Sequence, residues 1–311
     1  MIISASRRTD IPAFYHRWFM NRIRDGFLLT RNPYNANQVR RVSLLPEDVD
    51  AIVFWTRNAD KLIKYLPELN SYNYYFQYTI TGYPKEIEKH LPSTYKSIET
   101  FIRLSDIVGP ERVIWRYDPI LISDITSINE HKRKFAKIAN LLRGKTKKVV
   151  ISFADLYQKT EKNLNSISGL KYHDILAHRE ELLDLCTYMV GVCKINQLDI
   201  ETCAEELELQ HIGIKQGKCI DDELLNKVFN LDLSSIKDSG QRTECGCIKS
   251  IDIGQYNTCL HGCSYCYATF SEAMVKKNKL KHDPDSPFLL GGIDGVDKNL
   301  LIEPIFQQSL F

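Results

Sequence analysis

The chain has no run approaching the ~18 consecutive apolar residues of a membrane-spanning helix. Its start, Met1-Ile-Ile-Ser-Ala-Ser-Arg-Arg8, lacks the apolar stretch of a secretory signal. A cytoplasmic protein with no membrane partner is the expectation. Charge of one sign is also missing. With 41 Lys and Arg against 39 Asp and Glu, the formal net charge is +2, and a nucleic-acid binder usually carries a clear basic excess. No linker interrupts the first two thirds. A length of 311 residues suits one large barrel or two ordinary domains, with a sizeable core in either case.

Cysteine, by contrast, is plentiful. Nine cysteines in a chain without a secretory signal point to metal binding or reduced thiols, not to a disulfide framework. Cys259, Cys263 and Cys266 stand in the run Tyr256-Asn-Thr-Cys-Leu-His-Gly-Cys-Ser-Tyr-Cys-Tyr-Ala268. Three thiolates at Cys-x3-Cys-x2-Cys spacing can hold three corners of a cubane [4Fe-4S] cluster and leave the fourth iron open to a small molecule. The competing reading is a zinc site completed by His261, or a set of reduced structural thiols. Zinc favours paired Cys-x2-Cys or Cys/His units over a compact triplet.

Four further cysteines, Cys203, Cys219, Cys245 and Cys247, are enough thiolates to complete an auxiliary four-iron cluster. Separate free thiols or a zinc site are the alternatives. Fully extended, the segment from Cys247 to Cys259 would reach up to about 40 Å. Cys245 and Cys247 therefore come near the triplet only if the strand between them is short and the chain loops back. Cys186 and Cys193 sit seven apart in the apolar pattern Leu182, Leu183, Leu185, Met189, Val190, and are expected to be core thiols.

Apolar, β-branched or aromatic runs alternate with amphipathic stretches over the first two thirds. Strands are expected at Met1 to Ser6, Ala51 to Thr56, Tyr74 to Thr81, Arg112 to Tyr117, Lys148 to Phe153 and Gln197 to Thr202. Helices are expected at Thr94 to Val108, stopped by Gly109-Pro110, and at Glu130 to Leu142, stopped by Gly144. Such alternation predicts an α/β fold with a parallel sheet, a partial or closed TIM-type (β/α) barrel. Barrel chemistry sits at the C-terminal ends of the strands. The candidate pocket residues are thus Arg7, Arg8, Asp10, Arg57, Asn58, Thr81, Gly82, Tyr117, Asp118, Asp155, Glu201 and Cys203. Ordinary loop polarity explains any one of them equally well, and Arg116 with Asp118 could instead form a buried pair that orders a strand end.

The first 41 residues carry eight arginines, no lysine, and the aromatics Phe14, Tyr15, Trp18, Phe19 and Phe27. Arginine among aromatics suits phosphate and base stacking. An amphipathic helix from Pro12 to Arg24, with its arginines solvated, would show the same pattern and is the reading adopted.

The triplet and Tyr265 resemble the signature of the radical S-adenosylmethionine superfamily. That resemblance implies that the open iron chelates the amino and carboxylate groups of S-adenosylmethionine. It further implies reductive cleavage to a 5′-deoxyadenosyl radical, which abstracts hydrogen from a substrate, with electrons from a donor such as flavodoxin or ferredoxin. His261-Gly-Cys-Ser-Tyr-Cys-Tyr-Ala268 is similar to the spore photoproduct lyase-like branch, which implies nucleic-acid repair or modification as an alternative. Phe54-Trp-Thr-Arg-Asn-Ala-Asp60, Leu66-Pro-Glu-Leu69 and Tyr78-Thr-Ile-Thr-Gly82 are weaker echoes. In the last of these Thr81 and Gly82 would meet the methionine amino group, although the superfamily's usual Gly-Gly-Glu is absent.

Superfamily members usually carry the triplet after their first strand, whereas here it follows all six candidate units. A circular permutation reconciles this: Ser250 to Tyr256 becomes the cluster-bearing strand beside the N-terminal strands, and Ala268 to Lys279 the helix after it. Over its length the chain resembles a bacterial family known as domain of unknown function 1848, through Ser4, Arg7, Arg8, Thr9 and Asp10 together with the triplet.

The expected organisation is a barrel core at 1–203, a cysteine-bearing insertion at 204–248, a cluster-binding strand, loop and helix at 249–282, and a loop-rich tail at 283–311, either a cover over the pocket or a surface tail. Besides the cluster ligands, Tyr265 is expected beside cluster or adenine, and Arg7, Arg8, Arg57 and Asp118 around the cofactor. A non-enzymatic iron–sulfur or zinc protein, acting as redox sensor or scaffold, is the remaining functional alternative. The substrate is not readable.

Overall fold

The computed structural model describes residues 1–302 except 33, 34, 204 and 206. Its strands are β1 (Ile2–Ala5), β2 (Phe27–Asn32), β3 (Asn35–Ser43), β4 (Ala51–Thr56), β5 (Tyr74–Thr79), β6 (Val113–Ile120), β7 (Ile122–Ser123), β8 (Lys148–Phe153), β9 (Tyr172–His173), β10 (Asp199–Cys203), β11 (Lys215–Gly217) and β12 (Ile251–Asp252). Eight of them form one sheet in the order β11-β10-β8-β6-β5-β4-β1-β12. Every neighbouring pair in it is parallel.

All six expected strands are present. Seven strands follow one another across the sheet in chain order, and the last, β12, returns to the free edge of β1 (Ile3 beside Ile251, Ser4 beside Asp252). The cluster-loop strand is thus adjacent to the N-terminal strand, as expected. It is two residues long, not the seven of Ser250 to Tyr256.

Side chains alternate between the sheet faces with period two. Ile3, Ile52, Phe54, Phe76, Trp115, Tyr117, Val149 and Ile151 face one way, into a core shared with the helices. These helices are α1 (Ile11–Phe14), α2 (His16–Asp25), α3 (Asp60–Ile63), α4 (Thr94–Val108), α5 (Ile128–Leu141) and, after α6 (Gln158–Asn165), which packs Leu164 in a separate cluster with Tyr83, Ile87 and Leu121, α7 (Arg179–Asn196). Ser93 and Ser127 cap α4 and α5 by accepting from Lys96 N and Glu130 N. Cys186 and Cys193 are buried in this core, as expected.

Ile2, Ala51, Val53, Tyr75, Ile114 and Val150 face the other way and pack against Cys219, Ile220, Leu225, Cys245, Cys247 and Ile248. The segment expected to be an insertion, with its helix α8 (Asp222–Phe229), therefore covers the second face of the sheet. Burial of both faces is the normal condition of a parallel sheet.

Several expectations are corrected. The single helix from Pro12 to Arg24 is two helices, because the chain breaks at Tyr15. Its arginines are not all solvated, since Arg22 is buried, pairing with Asp25 and donating to Asp285 O. In the tail, Trp18 Nε1 donates to Ser286 O and Leu29 N to Pro287 O, so residues 284–289 dock on α2 and β2, with Phe288 fully buried. The helix after the triplet, α9 (Glu272–Lys279), starts four residues later than expected, at the Ser271 cap.

Candidate functional site

Beyond the C-terminal ends of the strands lies a cavity of about 720 Å³, within the usual range of small-molecule sites (~300–1,000 Å³). Its wall takes Arg7, Arg8 and Asp10 after β1, Arg57 after β4, Asp118 from β6, Asp155 after β8 and Cys203 at the end of β10. All seven of Cys203, Cys219, Cys245, Cys247, Cys259, Cys263 and Cys266 line it, together with Tyr265. Thr81 and Gly82 do not. They line a smaller adjoining pocket that shares Arg57 and Thr79 with the first. Asn58 lies outside the main cavity; Tyr117 points into the helix-side core, bonding His131 Nδ1 at 2.8 Å; and Glu201 pairs with Lys148 at 2.8 Å.

The triplet loop is held from several sides. Tyr15 Oη donates to Thr258 O at 2.7 Å, His90 N to His261 O at 3.0 Å, Ser264 N to Ile87 O at 2.9 Å and Asn257 N to Ala268 O at 2.8 Å. Gly262 has φ +67, and a Cβ there would meet His90 Cδ2 at 3.0 Å, so both the turn and the close approach demand glycine. Burial pushes Cys259 well above the ordinary thiol range and Cys263 up to about 12, the second in spite of Arg57. A cation among the three sulfurs would reverse that penalty.

Asp10 anchors the loop to β1 and β4. One carboxylate oxygen accepts from Ala13 N at 2.9 Å and Thr56 Oγ1 at 2.8 Å, the other from Arg57 N and His261 Nε2, both at 2.7 Å. A carboxylate only accepts, so Nε2 of His261 carries the proton, and this nitrogen is thereby committed to Asp10. Asp252 does the same for β12: it accepts from Ser4 Oγ, Ser6 Oγ, Arg7 N and Gly254 N.

A further carboxylate, the buried Glu88, was not identified from the sequence. It accepts from Arg57 Nη2, Thr81 Oγ1 and Tyr265 Oη, while Arg57 also donates to Tyr265 Oη and Thr81 Oγ1. Burial opposes the Arg57 charge, but Glu88, Tyr265 and Cys263 outweigh it and raise its pKa. Glu88 pairs with Cys263 in an isolated bridge, so this network joins the triplet loop to the wall below it. Its position in a short irregular segment offers no periodicity or motif from which to find it.

Among buried polar atoms with no hydrogen-bond partner are Arg7 Nη2, Thr9 Oγ1, Trp55 Nε1, Arg57 Nε and His261 Nδ1, all from residues lining this cavity. Buried donors are rarely left so, and Arg7, Trp55 and Arg57 are donors only. Such donors, left free in one cavity, suit an anionic ligand. The triplet's donor set also fits a cluster held at three corners: three thiols on one loop share the wall, and no fourth cysteine stands in that loop.

The other four cysteines are also brought together. Cys203 Sγ and Cys219 Sγ are 2.8 Å apart, and Cys247 hydrogen-bonds with both Cys219 and Cys245. These contacts draw Cys203 down to about 7 and lower Cys247, while Cys219 and Cys245 rise. Arg116 Nη1 donates to Cys219 Sγ at 2.8 Å and Nε to both Asp118 oxygens at 3.0 and 3.1 Å. The expected Arg116–Asp118 pair thus exists, and it belongs to the site.

The chain belongs to the family described as Domain of unknown function (DUF1848), whose family model matches residues 2–268. No curated protein and no solved structure matches it. No helix among the described residues is long and apolar enough to cross a membrane.

Proposed function

We propose that this member of the family is a radical S-adenosylmethionine enzyme on a (β/α) barrel permuted so that the cluster-bearing strand comes last. The observation that carries the reading is one cavity lined by Cys259, Cys263 and Cys266 and by arginine, tryptophan and threonine donors that lack protein partners. A [4Fe-4S] cluster held by the three thiolates would supply the electron that breaks the carbon–sulfur bond of S-adenosylmethionine.

The chain's own residues bind and orient. Arg7 and Arg57 offer free guanidinium N–H groups to the carboxylate of the cofactor. Glu88 and Tyr265 fix the Arg57 side chain, so the cation is preorganised before anything binds. His261, through Asp10, sets the loop against β4. Tyr256 and Tyr267 line the cavity, and an aromatic ring there is a surface on which a base can stack. The β12–β1 adjacency supports the permutation, because it seats the loop after the last strand over the ends of the first ones.

The test is anaerobic. Protein reconstituted with iron and sulfide, reduced with dithionite and given S-adenosylmethionine should form 5′-deoxyadenosine, and Cys263→Ala should not. Equal product from both proteins would end this reading.

A further inference from the structure

Cys203 ends β10, Cys219 follows β11, and Cys245 and Cys247 precede β12, so three separate stretches deliver four thiols to one place. Packing does not require that. Where this chain uses thiols as core filler, at Cys186 and Cys193, each stands among aliphatic side chains. Here the sulfurs touch one another and collect N–H donors: Arg116 Nη1 to Cys219 Sγ at 2.8 Å, Ile220 N to Cys247 Sγ at 3.3 Å, and Arg7 to Cys247. Donors directed at sulfur are the surroundings of a thiolate centre that carries net negative charge.

We propose that Cys203, Cys219, Cys245 and Cys247 ligate a second iron–sulfur cluster on the wall of the cavity that the triplet lines. Cys245-Gly-Cys247 has one residue between its thiols, fewer than the two to four of structural zinc units. A Cβ on Gly246 would meet Lys218 Cγ at 3.1 Å, so the tight turn between the two ligands packs directly on the residue preceding Cys219. Among the described residues no group of three or more His, Cys, Asp or Glu stands at metal-holding geometry as the side chains lie. Loading therefore parts the touching thiols, each exchanging its proton for iron, and the adjoining cavity gives them room. Four protein thiolates leave this cluster no open iron, in contrast to the triplet.

The assignment does not depend on the triplet's function. The full chain carrying Cys259→Ala, Cys263→Ala and Cys266→Ala is reconstituted anaerobically, and iron, sulfide and zinc are measured with the paramagnetic resonance of the reduced protein. About four irons and four sulfides per chain, with a reduced-cluster signal, are expected. The pair Cys219→Ser and Cys247→Ser in the natural background should lose that same complement. Thermal unfolding shows whether each variant is folded; should the serine pair not fold, the triple alanine variant decides alone. A folded triple variant without iron, or with one zinc in its place, would overturn the proposal.

Discussion

Two groups of cysteines share one cavity and are built on opposite principles. The triplet is local: eight consecutive residues carry all three thiols, and hydrogen bonds from the Tyr15 hydroxyl, the Glu88 segment and the following turn shape the loop. The tetrad is assembled from the ends of β10 and β11 and the approach to β12, and its sulfurs are held by one another and by Arg116 and Arg7. As cluster ligands, three thiols on a local loop would leave a coordination position for chemistry, whereas a closed set of four would leave none. The same division separates catalytic from structural zinc sites.

The largest contrast should appear on deleting one ligand from each group. Cys263→Ala should reduce 5′-deoxyadenosine formation more than about 100-fold, while Cys219→Ser should halve bound iron and leave reductive cleavage detectable, as chromatographic product analysis would show. Equal loss in both would erase the distinction between open and closed sites.

Next in size are the ion pairs. Arg57→Ala leaves Glu88 buried without its cation and should cost about 3–5 kcal/mol of stability. Arg242→Ala on the tetrad side removes an exposed pair with Asp155 and should cost only about 0–1 kcal/mol. Denaturant titrations of the two variants measure this; similar midpoints would contradict the hub assigned to Glu88. Gly254→Ala should cost about 1–3 kcal/mol, because its Cβ would stand 2.0 Å from Ser6 Oγ and 2.6 Å from Ser6 Cβ, where Asp252 ties β12 to β1. Iron content after reconstitution should fall at the triplet more than at the tetrad.

One effect should be common to every variant. Burial lowers His131 from 6.5 to about 4, so the unfolded chain binds a proton that the folded chain refuses. Stability is then unaffected above about pH 6.5 and declines as pH falls from there to about 4, by roughly 3 kcal/mol in all. Since neither cysteine group contacts His131, the same decline should be measured by thermal unfolding when either group is deleted. Its disappearance from one of them would reveal coupling between the helix-side core and the cavity.

The contrast also explains what was legible in the sequence. Ala51–Thr56 and Lys148–Phe153 were readable residue for residue, because an apolar run buried on both faces has sharp ends. Thr94–Val108 was too, since Ser93 and Gly109 punctuate it. The β2–β3 hairpin was not: its arginines and asparagines mask the strand alternation. At three and two residues, β11 and β12 are too short to show a period. In the site, the triplet was legible because its ligands are neighbours in the chain. The tetrad could be read only as a list of thiols, since tertiary folding brings it together. Glu88 and Asp252 gave no signal, because their importance lies in the donors that converge on them.

The most direct measurement is the paramagnetic resonance of the reduced, reconstituted protein before and after addition of S-adenosylmethionine, in two variants that each retain one cysteine group. With Cys219→Ser and Cys247→Ser, the signal remaining from the triplet should change when S-adenosylmethionine is added. With all three triplet cysteines replaced by alanine, the tetrad signal should be indifferent to it. A triplet signal that does not respond would contradict the central claim that Cys259, Cys263 and Cys266 present an open site to S-adenosylmethionine.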